Sequence, residues 1–578
     1  MTIPTTVRTR VSPDTLSKVT RLFNGTAGDV LAELFQNARR AGASRVRVTL
    51  RRVRGGFAYM VDDPLGAGCT LWLTVADDGR GVSDPAALLT LGSSGWDRET
   101  VWAEDPAGMG LFALAGRVVR ISTRGPAGAW SVMVPADAWT SGAEVAVERD
   151  RGPSSLGTEI SFEVPEPWAT RIKADVEHAA RHYPLPVTFN GAEVPRSTFL
   201  VEAVRVEEWR GLKLGVLPYH GWSGQPRVNF HGVTVPCPLP RIGEQRGETW
   251  TALVDVVDCP ELQLVLPARK EVVATPFLDE LQEECERAIY RHIATRDRHS
   301  LPCARWLRAA ARGVPLPPAA AELQAWSPTT NNGDPEGSFR HRSAEVGSGL
   351  PAEPLVMADI GADLEQSLKR AIAIGDPGLR DRLVEPCRAF EGYGWYDALP
   401  RVTAVVGTIW RGKERWTTED ETLPTSGAVD RASVALTLTS SDVVVVQALE
   451  TDFLLVANEE GSSDDPDEQG VFLVPGPQLK PGALAHAIVA AFFMASDDRD
   501  ADSPDTQFDR YERAALDLSR RLLLGDEEAA LARLRDAVGE HIAWLVPKGR
   551  ELRVRLDATG VEVSLSPLGS APSTGRAA

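Results

Sequence analysis

One stretch restricts this chain more than any other: Asp29-Val-Leu-Ala-Glu33-Leu-Phe-Gln-Asn37-Ala-Arg-Arg-Ala-Gly-Ala43. Val30, Leu31, Leu34, Phe35 and Ala38 recur at helical spacing and face a core. Thr26 followed by Asp29 has the form of a capping box, which starts the helix near Ala27. Gly42 stops it, and Ser44–Leu50 then alternates polar and apolar, as a half-buried strand does. Glu33 and Asn37 lie one helical turn apart, so their side chains project together. Taken alone, such a pair is an ordinary polar feature of a core helix. The motifs that follow it change that weighting.

The strand Cys69–Val75 runs straight into Ala76-Asp-Asp-Gly-Arg-Gly-Val82. Asp77 at a strand end can accept a hydrogen bond, while Gly79 and Gly81 permit positive φ and a close approach of backbone to a ligand. An Asp-Gly turn is the plain alternative. Next come Ser93, Ser94 and Gly95 in a Gly/Ser-rich run, then Gly108-Met109-Gly110-Leu111, which is read as opening a helix. A helix start preceded by glycines suits phosphate, because free amide groups and the helix dipole both favour an anion. Residues 92–107 are read as a cover over that place. Thr158 opens a late strand, Gly157–Val164, and its hydroxyl is within reach of a phosphate in this reading; strand-favouring threonine is the alternative.

This ordered set resembles the GHKL ATPases, the superfamily of gyrase, the heat-shock chaperone, histidine kinases and MutL. Glu33–Ala43 looks most like the heat-shock-chaperone and MutL versions. The resemblance implies an α+β chain that begins with a Bergerat-type α/β sandwich over residues 1–168. It implies ATP and Mg²⁺ as cofactors. Asn37 then supplies an oxygen to Mg²⁺, which takes its other oxygens from phosphates and water, and Glu33 holds or deprotonates the attacking water. Asp77 accepts from the adenine amino group, and Gly79 and Gly81 let base and ribose lie against backbone. Ser93, Ser94, Gly95, Gly108, Met109, Gly110 and Leu111 form lid and phosphate cradle, and Thr158 supports the Asp77 end. Relatives often carry an acidic residue where this chain has Arg40; Arg39 and Arg40 face solvent or contact a phosphate or partner, and solvated positions are favoured here.

Residues 169–312 resemble the transducer-like α/β domain that follows the ATPase in such proteins. There Lys270, with Arg269 second, is the implied contact to the γ-phosphate. Residues 313–350, rich in Pro, Gly, Ser and Asn, read as a linker. Residues 351–568 read as an α+β region without a recognisable relative, and 569–578 as a disordered tail. The acidic loop at Asp464, Asp465, Asp467 and Glu468 lacks EF-hand spacing, so calcium is not favoured there.

Composition narrows the function. At 578 residues the chain holds roughly three or four domains of about 150 residues. A net charge of -18 opposes attraction of the whole protein to nucleic acid, so a protein client or complex partner is favoured over DNA or RNA. No apolar run of about 18 residues and no signal core is present, which points to a cytoplasmic protein without a membrane span. The six cysteines have no metal spacing and read as reduced thiols. The resulting expectation is an ATP-hydrolysing conformational switch acting on a protein client or in a DNA-processing or defence complex, with a homodimer implied by resemblance alone. The alternative is a nucleotide-dependent binding or scaffold module without turnover. A histidine kinase is disfavoured because no helical hairpin bearing a histidine precedes the central helix.

Overall fold

The computed structural model describes residues 26–54, 57–60, 70–90, 96, 110–141, 143–221, 227–245, 247–265, 271–331, 340–341, 350–440, 443–458, 465–496, 498, 501–557 and 560–568. The chain is mixed α+β and divides into two compact units, Met1–Ala319 and Ala320–Ala578. Among the described residues, no helix is long and apolar enough to cross a membrane.

Helix α1 spans Ala27–Arg40. The capping box forms: Thr26 Oγ1 accepts from the Asp29 amide at 3.3 Å, and Asp29 Oδ2 accepts from the Thr26 amide at 2.9 Å. At the other end Gly42 takes φ +69°. Its amide reaches the Arg39 carbonyl at 2.9 Å, and the Ala43 amide reaches the Ala38 carbonyl at 3.1 Å. That is a Schellman closure, which only a residue tolerant of left-handed φ completes without strain. Val30, Leu31, Leu34, Phe35 and Ala38 are all buried, and full burial of such a Leu or Phe contributes about 1.5–3 kcal/mol.

α1 packs on a nine-stranded sheet built from β1 (Val46–Arg54), β2 (Phe57–Met60), β3 (Thr70–Asp77), β4 (Val119–Gly125), β5 (Gly128–Val134), β6 (Val147–Arg149), β7 (Gly157–Glu163), β8 (Val187–Phe189) and β9 (Ala192–Glu193). The order is β6-β5-β4-β7-β3-β1-β8-β9, with β2 paired to β1. Every pairing is antiparallel except β1 with β8. Val46, Val48 and Leu50 of β1 are buried while Arg47 between them is exposed, the alternation of a strand covered on one face. Helix α2 (Ile172–Ala180) adds Ile172, Val176, Ala179 and Ala180 to the same core.

The expected domain boundary at 168/169 therefore falls inside one folded layer. The Val187–Glu193 hairpin, which falls within the expected second domain, completes the first sheet. Its Val187 pairs with Val46, and Val187 and Val194 belong to the core under α1. The physical reason is that β1 has an open edge beyond β3, which this strand fills.

A second sheet in the same unit holds β10 (Arg205–Trp209), β11 (Leu212–Pro218), β12 (Val228–Phe230), β13 (Val233–Val235), β14 (Arg241–Gly243) and β15 (Thr249–Val256). Helix α3 (Pro276–Ile293) and helix α4 (Cys303–Ala311) complete it. The tip between β12 and β13 touches the first layer. Gln36, only 2% exposed, donates from Nε2 to the His231 carbonyl at 2.7 Å and the Phe230 carbonyl at 3.3 Å. A Cβ on Gly232 would lie 3.1 Å from the Tyr183 Cα.

Much of the expected linker 313–350 is packed. Val314 and Leu316 sit in the core of the first unit. Trp326 sits in the core of the second, and its amide bonds the Leu383 carbonyl at 2.9 Å. Prolines separate apolar residues here, and it is those apolar residues that anchor the chain.

The second unit begins with the short strands β16 (Thr330–Asn331), β17 (Arg340–His341), β18 (Leu355–Val356) and β19 (Leu383–Val384). Its main sheet adds β20 (Arg401–Arg411), β21 (Glu414–Thr417), β23 (Arg431–Ser440) and β24 (Val443–Thr451). The strands β22 (Gly427–Ala428), β25 (Phe453–Val456) and β26 (Gly470–Leu473) form a smaller sheet. Helices α5 (Ala362–Gly375), α6 (Pro481–Phe492), α7 (Pro504–Leu524) and α8 (Asp526–His541) precede the hairpin β27 (Arg550–Asp557) and β28 (Gly560–Pro567). In the acidic loop Asp465 caps a helical turn and Asp467 pairs with Arg521 at 2.6 Å. Among the described residues, no group of three or more His, Cys, Asp or Glu is arranged to hold a metal ion.

Candidate functional site

The first unit brings the end of β3 against the end of α1. Asp77 is the last residue of β3 and is the register partner of Val46. Its Oδ1 accepts the Gly79 amide at 2.8 Å, and its carboxylate also accepts the Thr158 amide. The carboxyl is only part-exposed. Burial pushes its pKa above the ordinary carboxylate value; the two amide bonds offset part of that, and the neighbouring Asp78 adds to it. Asp77 is thus a carboxylate whose charge is under-solvated.

Asp78 behaves in the opposite way. Desolvation acts to raise its pKa, but bonds from the Ser44 hydroxyl and amide at 2.6 and 2.7 Å, and from the Arg45 amide at 3.2 Å, outweigh it, and the pKa is lowered. Of the two adjacent aspartates, one ties β3 to the start of β1 and the other is destabilised as an anion by burial.

The turn itself is bound to α1. The Arg80 amide donates to the Ala41 carbonyl, and the Ala41 amide donates to the Asn37 carbonyl, each at 2.9 Å. Asn37 and the Asp77 turn are therefore two backbone hydrogen bonds apart. Each glycine answers to a backbone neighbour. A Cβ on Gly81, where φ is +70°, would lie 2.3 Å from the Arg124 carbonyl oxygen. A Cβ on Gly157, where φ is +133°, would lie 2.0 Å from the Asp77 carbonyl oxygen. These glycines are required by the close crossing of β3, β4 and β7 before any ligand is considered.

Glu33 and Asn37 are both part-exposed on α1. Asn37 Oδ1 accepts from Arg40 Nη1 at 3.3 Å. Arg40 is 8% exposed, so the reading of it as solvated is corrected. Its position in the last turn of α1 lays the guanidinium back along the helix onto Asn37. Thr158 is buried, and its hydroxyl meets that of Thr123 at 3.2 Å; its link to Asp77 runs through its amide. Leu111 is buried in the core under α1. Gly110–Leu114 forms a short 3-10 helix, where the opening of a helix was expected. Ser93, Ser94, Gly95, Gly108, Met109, Arg269 and Lys270 lie outside the described residues, as do residues 12–24 and 569–578.

Two contributors have no motif of their own. Thr123 is fully buried; its hydroxyl takes the Val82 amide at 3.0 Å and meets the Gly157 carbonyl at 3.0 Å, joining the glycine turn to β7. Tyr183 donates to the Phe35 carbonyl at 2.5 Å, and its ring lies 5.2 Å from that of Phe35. Burial pushes the Tyr183 hydroxyl pKa up, and the charges of Arg39, Asp77 and Arg40 all act on it, so these groups share one neighbourhood. A Pro after Tyr183 was the available signal, as it marks a fixed bend.

No protein-family model matches this chain, and no curated protein matches it.

Proposed function

We propose that the first unit binds ATP with Mg²⁺ between Asp77 and the Glu33–Asn37 face of α1, hydrolyses it slowly, and serves as a conformational switch of the GHKL type. The observation that carries the reading is Asp77. An under-solvated carboxylate at a strand end gains most from a donor that brings its own N–H groups, and the adenine amino group is such a donor. The backbone link from Asp77 through Gly79, Arg80 and Ala41 to Asn37 adds support, because it holds the two residues on one frame.

The donor set suits magnesium in kind: Asn37 supplies one hard oxygen, and phosphates and water supply the rest. When bound, the ion would neutralise phosphate charge. The chain's own work falls to Glu33, which accepts a proton from the water that attacks the γ-phosphorus as the bond to the ADP oxygen breaks. The net charge of -18 favours a protein client over nucleic acid.

A second reading, nucleotide binding without turnover, is favoured by one contact. Arg40 already occupies the Asn37 oxygen, and a cation there opposes a divalent ion. Phosphate release separates the two. At equal ATP occupancy, Glu33→Ala is expected to slow release by about 10²–10⁴-fold, the range for a removed general base. Equal release from both chains leaves binding alone, and absence of ATP binding by the unaltered chain overturns the proposal.

A further inference from the structure

The second sheet of the first unit holds two arginines that form no ion pair among the described residues. Arg227, immediately before β12, is 6% exposed. Its Nη1 donates to the Thr251 hydroxyl at 2.9 Å. Its Nη2 is buried and meets no acceptor among the described residues. Arg241, at the start of β14, is exposed. The guanidinium carbons of Arg227 and Arg241 lie 5.4 and 4.1 Å from the centre of the same Tyr219 ring.

β15 makes this meeting. Arg241 is the register partner of Thr251, and the Arg227 carbonyl accepts the Val254 amide at 2.9 Å. Thr251 is itself buried and directs its hydroxyl proton to the Pro240 carbonyl at 3.2 Å, which leaves its oxygen to accept from Arg227. Burial lowers the Arg227 pKa, Arg241 lowers it further, and Tyr219 opposes both. A buried donor without an acceptor is destabilising, and a second positive charge beside it adds to that.

We infer that Arg227 and Arg241 form an oxyanion site, with Tyr219 as its wall, that takes a phosphate group. A carboxylate is satisfied by one guanidinium fork, because it has two oxygens. Two guanidinium groups against one ring supply the donors and the charge for an anion with more oxygens and up to two charges. The site stands apart from the nucleotide reading above and does not depend on it.

The test is calorimetric titration of the full chain at low salt with inorganic phosphate and, separately, acetate. Phosphate is expected to bind with a dissociation constant of about 1 mM or tighter, and acetate markedly more weakly. Arg241→Gln, at an exposed position, is expected to weaken phosphate at least tenfold while ATP binding matches the parent chain. Arg227→Lys, which keeps the charge but not the fork, is expected to weaken it as well. Phosphate binding equal in the parent and Arg241→Gln, acetate binding as tight as phosphate, or no phosphate binding by the parent overturns the inference.

Discussion

A Cβ on Gly79 would lie 2.7 Å from the Ala41 Cβ and 2.8 Å from the Ala41 carbonyl oxygen. The turn after β3 is thus seated directly on the C-terminal end of α1, with no space for one methyl group. The Asp77 Oδ1 that accepts the Gly79 amide is held at the same seat. Gly79→Ala is expected to destabilise the first unit by about 1–3 kcal/mol, the usual cost of an overpacked contact. Denaturant unfolding of the full chain, followed by fluorescence of the first-sheet tryptophans, measures it. A neutral outcome would mean that the turn moves away from α1 freely, and the frame linking Asp77 to Asn37 would be lost as an explanation.

Asp77 gives the proposed site a pH dependence whose sign is fixed. Its folded-state pKa is raised, so the stability it contributes is present below the unfolded value of 3.8 and is lost as pH rises through the folded value. At neutral pH the ionised carboxylate is a net cost to the empty protein. A donor from adenine favours the ionised form, so ATP affinity is expected to fall as pH drops through the folded pKa toward the ordinary carboxylate range of about 4. In Asp77→Asn the amide oxygen can keep the Gly79 and Thr158 bonds, while its NH₂ opposes the adenine amino group. ATP binding should weaken by about 100-fold, in line with roughly 3 kcal/mol for an unpaired buried donor, and its dependence on Asp77 ionisation should vanish. The melting temperature of the nucleotide-free variant should not fall, because the buried charge is gone. A lower melting temperature would assign Asp77 a structural role.

Gln36 is the side chain through which α1 holds the second sheet. It donates to the carbonyls of both Phe230 and His231, and His231 takes φ +53° at the tip that receives it. Gln36→Leu keeps the bulk and removes both hydrogen bonds, at an expected cost of about 1–3 kcal/mol. If ATP drives a switch, hydrogen exchange of the β12–β13 tip should respond to ATP in the parent chain and lose that response in Gln36→Leu. Retention of the response would place the coupling elsewhere.

What could be read from residues alone divides by the range of the interaction involved. α1 was legible from Thr26 to Gly42 because its start, its buried face and its stop are all local. The need for glycine at 79 and 81 was legible too, but the neighbours that impose it, Ala41 and Arg124, are far along the chain or across a strand. That β8 pairs parallel with β1 is a long-range choice that no short pattern records. Trp326 was hidden by composition, since Pro and Gly around it gave the appearance of a free linker. Arg40 was misread because charge usually marks a surface, whereas a guanidinium on a long apolar stem can lie buried along its own helix. Asp78 was passed over as the second half of an Asp-Asp pair, although it is the one that ties β3 to Ser44.

Arg40 decides between the two readings of the proposed site. Its guanidinium donates to Asn37 Oδ1, the oxygen that the resemblance gives to magnesium. Two charges about 4 Å apart interact by about 1–4 kcal/mol for dielectric constants between 80 and 20, so a cation fixed there would raise the Mg²⁺ concentration needed for nucleotide binding. Arg40→Gln removes the charge and keeps a long polar side chain in a place that is 8% exposed. If Asn37 is a magnesium oxygen that Arg40 must release, the half-saturating Mg²⁺ concentration for ATP binding should fall by about five- to tenfold, the lower part of that electrostatic range. If Arg40 instead turns onto the phosphates when nucleotide enters, ATP binding should weaken at every Mg²⁺ concentration. A magnesium titration of ATP binding to the parent and to Arg40→Gln, each checked for an unchanged unfolding transition, separates these outcomes. An unaltered titration would remove Asn37 from the metal site.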